Sequence, residues 1–408
     1  MMMLDSIHLK NFKSFADAEV KLAPLTVLVG ANASGKSNLL DALRLVQRLG
    51  LGLTLTEAIQ GRREAGREVF RGLRGGSAGL ARTNQSSVEL SFSWSFGNGL
   101  WRHHMGLQTL DMGEPEFLWE ALKHEVGGMT AFDVNYVSDG AGHRWSGSLG
   151  GRPLPREDVA LNKALKGANR SLLRSARNIA AHQSGFPVTP LLLCRTLEST
   201  VLLELIPERM RSYCPKQDLE LAAEGENISS ILWSISQDDG ARQEWVDWLS
   251  ELCAPEISGL DFIETELGDV MLVLVEKDGT RTPARSMSDG TLRFLGTLVA
   301  LRTVPPESIV MLEEPETGLH PQRIHLLVEF LEAVTRERNI QVIMTTHSPQ
   351  VLDALSSEAL KNTVLCARSP EQEGTVLRRL GDLPHFEEVS KKSNIEHLFT
   401  TGWLERAL

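Results

Sequence analysis

Cysteine is scarce in this sequence. Cys194, Cys214, Cys253 and Cys366 are widely spaced and form no C-x-x-C pair. Neither a disulfide framework nor a cysteine-held zinc site is therefore indicated. Long apolar runs are also missing, since no stretch approaches the length that crosses a bilayer. The opening residues, Met1 to Phe15, meet a polar residue every few positions, unlike a signal peptide. A cytoplasmic chain with no membrane segment is the expectation. Basic charge is in deficit, with 42 Lys and Arg against 53 Asp and Glu and a net charge of −11. That balance argues against a surface coated for nucleic acid. No aromatic–basic repeat and no long low-complexity tract is present. Heptads do not persist, so long coiled-coil arms are excluded.

What is present has the composition of a globular protein, 42% apolar and 23% charged over 408 residues. The stretch that organises the rest is Gly30-Ala31-Asn32-Ala33-Ser34-Gly35-Lys36-Ser37. It follows the apolar run Leu25 to Val29 and runs into a helical pattern, Asn38 to Leu49. A strand, a glycine loop and a helix in that order make a phosphate-binding P-loop. Gly30 and Gly35 allow the backbone to wrap so that successive N–H groups, with Asn32 and Ser34 among them, face phosphate oxygens. The helix adds the positive end of its dipole, Lys36 would neutralise the outer phosphates, and the Ser37 hydroxyl would be a magnesium ligand.

Taken in order, Leu4 to Asn11 and Ala18 to Leu22 read as strands before the P-loop strand. Gly50 to Thr83 reads as loop-rich. Its arginines, Arg62, Arg63, Arg67, Arg71, Arg74 and Arg82, are expected to be a solvated face with salt links rather than a DNA- or partner-facing patch. Val88 to Trp94, Leu100 to Leu107, Phe117 to Glu125 and Phe132 to Val137 predict an antiparallel lobe. His103 and His104 fall on opposite faces of a strand, which argues against a shared metal, and are expected at the solvated surface. Residues 1–150 form the first lobe in this reading, with a boundary in the glycine- and proline-rich Gly147 to Pro155. A helical insert over 151–255 follows, with helices at Val159 to Ala180, Leu192 to Leu205, Ile228 to Ile235 and Arg242 to Leu252. The carboxy-terminal lobe, 256–408, resumes strands and then alternates strand with helix, which implies a parallel sheet.

A second cluster of chemistry lies in that last lobe. The buried-strand run Ser308 to Leu312 ends in Glu313-Glu314-Pro315-Glu316. Acids at such a strand end can hold Mg²⁺ and orient an attacking water. The next strand ends in Thr346-His347-Ser348-Pro349, which offers His347 as a sensor of the terminal phosphate. Upstream, Ser288-Asp289-Gly290 opens a helix, where a serine cap and backbone N–H groups favour an anion.

The four elements occur in the order seen in ABC-type ATPases. The match resembles the soluble branch with SMC-like proteins, RecF-like repair ATPases and the ATPase part of OLD-family proteins. Leu9-Lys10-Asn11-Phe12-Lys13-Ser14-Phe15 looks like that branch's first strand and turn, and Glu313 to Pro321 like its Walker B and D-loop. The resemblance implies an α/β P-loop NTPase with a two-lobe head: a mixed parallel core sheet, an antiparallel β lobe and a helical insert. It implies ATP and Mg²⁺ as cofactors. Lys36 and Ser37 match the P-loop lysine and metal hydroxyl, Asn38 follows them, and Glu313 matches the metal acid. Glu314 matches the carboxylate that polarises the attacking water, and His347 the switch histidine. Ser288, Asp289 and Gly290 match the signature loop that completes the facing subunit's ATP site, and Lys13, Ser14 and Phe15 lie near the nucleotide. Glu313 stands where aspartate is commoner, Asp289 stands where a signature glycine is usual, and none of Gln60, Gln85 or Gln183 is identified as the Q-loop glutamine.

A homodimer, or a higher even oligomer, closing on ATP follows from the resemblance. So does a role in DNA maintenance or anti-phage defence with DNA and a separately encoded nuclease or toxin effector as partners. The chain after the strand at Leu365 is too short for the nuclease domain of OLD proteins, so no nuclease activity is expected. The alternatives are the ATP-binding subunit of a membrane transporter and a nucleotide-dependent scaffold with little turnover.

Overall fold

The computed structural model describes residues 2–64, 67–109, 114–138, 143–153, 169, 171–174, 189–216, 220–252, 257–368, 372–392 and 394–408. These fall into two compact units. One holds Met1–Thr200, Asn362–Phe386 and Leu404–Leu408, the other Val201–Lys361 and Glu387–Trp403. The helix expected at Val159 to Ala180 lies mostly outside the described residues, as do Gln183 and Cys253.

In the first unit the opening strand β1 (Met2–Phe12) turns tightly into β2 (Phe15–Lys21), and β3 (Leu25–Val29) leads to the P-loop and the helix α1 (Lys36–Leu51). The passage after α1 is more ordered than a loop. It contains the helix α2 (Leu55–Gln60) and a small hairpin of β4 (Gly61–Glu64) and β5 (Arg67–Arg71). A capping box starts α2: the Thr54 side chain accepts from Glu57 N while the Glu57 carboxylate accepts from Thr54 N. Then come β6 (Ser87–Phe96), β7 (Gly99–Gln108), β8 (Glu116–Val126), β9 (Met129–Ser138), β10 (His143–Leu149) and β11 (Arg152–Pro153). Eight strands form one antiparallel sheet in the order β11-β10-β9-β8-β7-β6-β1-β2.

Alternation explains its core. In β6, Val88, Leu90, Phe92 and Trp94 are buried while the residues between them face outward. Each such side chain contributes about 1.5–3 kcal/mol by leaving water. Trp101 continues the layer and stacks on His124 with ring centroids 4.3 Å apart.

The two histidines do lie on opposite faces, but His103 is not solvated. It is fully buried, with Nε2 2.6 Å from Glu120 Oε1. Glu120 also accepts from Ser171 Oγ and Leu172 N. Alternation assigns neighbours to two faces without saying which is inner, and a buried carboxylate on the next strand pairs with His103 Nε2. Glu120→Ala would strand three buried donors and should lower unfolding free energy by roughly 3 kcal/mol, read as a lower midpoint in urea. An unchanged midpoint would remove this cluster from the list of structural ties.

Strand β3 is buried at all five positions, as a central strand should be. Val364–Arg368 runs parallel to it, pairing Val364 with Leu28 and Leu365 with Val29, and itself pairs antiparallel with Thr375–Arg379. In the second unit Val201–Leu203, Ile309–Glu313 and Gln341–Thr346 are parallel neighbours. The helix Pro321–Arg338 connects the last two, and Asp289–Thr303 precedes them. Ile257–Glu264, Asp269–Glu276 and Arg281–Pro283 make an antiparallel group beside the helices Ile228–Ile235 and Asp239–Leu252. The fold is thus α/β, with parallel and mixed pairing around the P-loop strand and the acid-bearing strand and with antiparallel sheets besides. The longest helix among the described residues has 18 residues, too short for a coiled-coil arm. None of them is long and apolar enough to cross a membrane.

Candidate functional site

In the first unit the glycine loop closes against its own neighbours. Gly35 has φ +111, and a Cβ there would lie 2.8 Å from both Ser14 Oγ and Thr375 Oγ1. A Cβ on Gly30 would meet the Cys366 carbonyl oxygen at 2.1 Å. The loop therefore has no room for side chains at the two positions where its backbone must turn. Ser34 Oγ is buried and has no hydrogen-bond partner among the described residues. Lys36 is only 6% exposed, with Nζ 2.7 Å from the Gly30 carbonyl and 3.0 Å from that of Ala31. Asn32 is exposed at the rim, and α1 begins directly at Lys36. A cramped backbone cradle, an unsatisfied buried hydroxyl and a buried cation at a helix start suit a polyphosphate.

The β1–β2 turn touches this loop. Ser14 Oγ accepts from Asn38 Nδ2 at 2.9 Å. Thr375 Oγ1 lies 2.9 Å from both Ser14 Oγ and the Ser34 carbonyl oxygen, and Thr375 N donates to the Ser14 carbonyl. Thr375 was not legible as a site residue, because its strand begins far along the chain. Lys13, with φ +50, gives Nζ to Asp41 Oδ2 at 2.5 Å and to the Arg74 carbonyl at 2.7 Å. Burial holds its pKa below the ordinary lysine range, opposed by Asp41. Phe15 is fully buried, so its ring belongs to the core. A cavity of about 640 Å³ opens beside these residues, lined among others by Lys13, Ser14, Asn38, Arg74, Arg82 and Arg368. Gln85 lines it too, whereas Gln60 donates to Ser77 Oγ. Of the other arginines, Arg62 is matched by Glu57 and Glu64 and Arg82 by Glu373.

In the second unit Glu313 ends its strand and Glu314 follows in the left-handed region, at φ +47. That conformation is costly for a residue with a Cβ and persists only where its neighbours hold it. Here the Glu314 N–H faces the Thr345 carbonyl at 3.1 Å and Thr345 Oγ1 at 3.2 Å. The Glu314 carboxylate then meets His347, with Oε1 3.0 Å from Nδ1. Glu316 is buried and accepts from Thr346 Oγ1, and burial raises its pKa while the Thr346 hydroxyl opposes the shift.

The signature segment belongs to the same unit. Ser288 caps the helix Asp289–Thr303, its Oγ accepting from Thr291 N at 3.1 Å, and Ser288 and Asp289 are exposed. The unusual acid Asp289 is answered by Arg211, 2.5 Å away, which also donates to the Met287 carbonyl. Gly290 is there for closeness, since a Cβ would lie 2.2 Å from the Gly318 carbonyl oxygen. Gly290→Ala must push two backbones apart and should lower stability by about 1–3 kcal/mol, measured by urea unfolding. A variant as stable as the parent would contradict the approach.

Two protein-family profiles match. "AAA ATPase domain" matches residues 2–50, and "AAA domain, putative AbiEii toxin, Type IV TA system" matches residues 206–353. The glycine loop lies within the first segment, and Ser288 to Gly290, Glu313, Glu314 and His347 within the second. The DNA replication and repair protein RecF of Synechococcus sp. (strain JA-2-3B'a(2-13)) is 49% identical over 49 residues, 12% of this chain and 13% of that one. Over these two segments the chain is similar to AAA-family P-loop ATPases, and over the first to RecF. RecF of Chlamydia caviae is 47% identical over 60 residues, 13% of this chain and 16% of that relative. The matches thus span only a small part of the length of these relatives. Among solved structures, the SMC head domain from Thermotoga maritima aligns with TM-score 0.44 at 14% identity, covering 92% of this chain and 98% of that one. A structure of the recombination mediator protein RecF with ATPrS aligns with TM-score 0.35 at 12% identity, covering 93% and 98%.

Proposed function

We propose that this ATPase binds ATP with Mg²⁺ in the cytoplasm, hydrolyses it, and closes head-to-tail on a second copy of itself when ATP is bound. The observation that carries the reading is the cradle at 30–37, whose glycines admit no Cβ and whose Ser34 hydroxyl is buried without a hydrogen-bond partner among the described residues. Gly30, Asn32, Ser34 and Gly35 would wrap the phosphates, and Lys36 would leave the loop carbonyls to neutralise them. The arginine-lined cavity beside Ser14 and Asn38 would take the nucleoside end. The Ser37 hydroxyl and the Glu313 carboxylate are hard oxygen donors of the kind Mg²⁺ takes, and the metal would supply charge neutralisation. Glu314 would accept the proton of the attacking water, with His347 beside it. Ser288 and Asp289, exposed at a helix start, with the buried Gly290 behind them, would serve the partner copy's nucleotide.

The biological setting we propose is DNA maintenance or anti-phage defence with a separately encoded nuclease or toxin effector. RecF identity favours the first, and the toxin–antitoxin wording of the profile over 206–353 favours the second. Phosphate release by the purified protein, with Mg²⁺ or EDTA and with or without single- and double-stranded DNA, tests the enzymatic core. Mg²⁺-dependent release is expected. No release under any condition would leave a nucleotide-dependent scaffold, and a co-purifying permease would point to a transporter subunit.

A further inference from the structure

Glu316 has no role in the scheme above, yet it is the most enclosed acid of its segment. It is 5% exposed, and Oε2 has no hydrogen-bond partner among the described residues. A carboxyl group taken out of water in this way is destabilising unless the structure around it gains something. Its other oxygen, Oε1, accepts from Thr346 Oγ1 at 2.5 Å. The same Thr346 hydroxyl oxygen accepts from Ser348 N at 3.0 Å. Thr346 and Ser348 are the two neighbours of His347, so this hydroxyl spans the turn that carries the imidazole. The imidazole in turn lies 3.0 Å from the Glu314 carboxylate.

The acid segment is tied down from its own side as well. Glu314 N is held by Thr345, Thr317 N donates to the Glu314 carbonyl, and Leu319 N donates to the Glu316 carbonyl. Glu314 and Glu316 thus project from one short stretch with a fixed backbone. One acid reaches His347 directly, and the other reaches its two flanking residues through Thr346. An exposed side chain such as His347, 48% accessible, has little else to fix its direction.

We propose that Glu316 is a positioning residue for hydrolysis: through Thr346 it fixes the turn that presents His347 to Glu314. The inference rests on the assignment of Glu314 and His347 to ATP hydrolysis. Glu316 is buried behind this pair and acts through Thr346. Losing it loosens the pair without removing a catalytic group, so turnover falls and nucleotide affinity does not.

The test uses the full chain and the variants Glu316→Ala, Thr346→Val, Thr346→Ser and Glu314→Gln, each checked for a cooperative thermal transition. Glu316→Ala and Thr346→Val should each lower kcat by about 10- to 100-fold, with KM and the Kd for ATP within about twofold of the parent. The double variant should lose little more than either single one, since both cut one connection. Thr346→Ser keeps the hydroxyl and should restore turnover. A second readout needs no nucleotide: the His347 ring signals, assigned with His347→Gln in ¹³C-histidine NMR, should move in Glu316→Ala as they do in Glu314→Gln. Unmoved ring signals overturn the proposal. So does parental kcat in Glu316→Ala while Glu314→Gln is inactive, a result that leaves the ATPase reading intact. A parent protein without turnover, with or without DNA, sinks that reading and this inference together.

Discussion

Glu314→Gln is expected to bind ATP as tightly as the parent and to hydrolyse it at least about 10²-fold more slowly. The amide matches the carboxylate in shape, so the left-handed backbone at this position and its two contacts with Thr345 remain. What disappears is the negative charge that takes a proton and faces His347 Nδ1. A loss confined to the transition state lowers kcat and leaves affinity alone. Single-turnover hydrolysis together with equilibrium nucleotide binding separates the two. Because hydrolysis opens the proposed dimer, the variant should also accumulate with ATP as a species of twice the mass by light scattering. Normal hydrolysis by Glu314→Gln would show that another group activates the water.

Lys36→Ala should act at the opposite end of the cycle. Lys36 is 6% exposed and its ammonium rests on two carbonyls of its own loop, so little but its charge is available to a ligand. Phosphate oxygens offered to that charge in a dry cradle should bind with an advantage of about 2–5 kcal/mol. That corresponds to a loss of roughly 30-fold to several thousandfold in ATP affinity when it is removed. Calorimetric titration with Mg-ATP measures this directly. In parallel, Mg-ATP should raise the melting temperature of the parent but not of Lys36→Ala. Equal affinities would detach the glycine loop from the nucleotide.

Most of the regular structure was written in local signals. The run Leu25 to Val29, the helix after Lys36 and the strand before Glu313 appear where apolar period and punctuation place them. The losses have physical causes. α2 and the β4–β5 hairpin sit in an arginine-rich passage with weak apolar period, which by itself predicts loop. β10 and β11 run through the glycine- and proline-rich stretch, which reads as a boundary, although strand pairing with β9 overrides composition there. Leu202 and Leu203 extend a helical pattern in sequence but join a parallel sheet through partners near position 311. In the site, the motif residues were visible because their chemistry is tied to fixed spacing. Thr375, Asp41, Arg211 and Thr346 were not, since each acts through a contact whose partner is set only by the folded chain.

Thr375 and Cys366 close the glycine loop from positions more than three hundred residues downstream. On a ribosome the loop emerges long before the segment that braces it. Long-range closure of this kind is slow and late. A nascent chain halted before residue 362 should therefore carry the complete Gly30 to Ser37 sequence and still be unable to retain ATP. Nucleotide capture would then report that the bracing strands have been made.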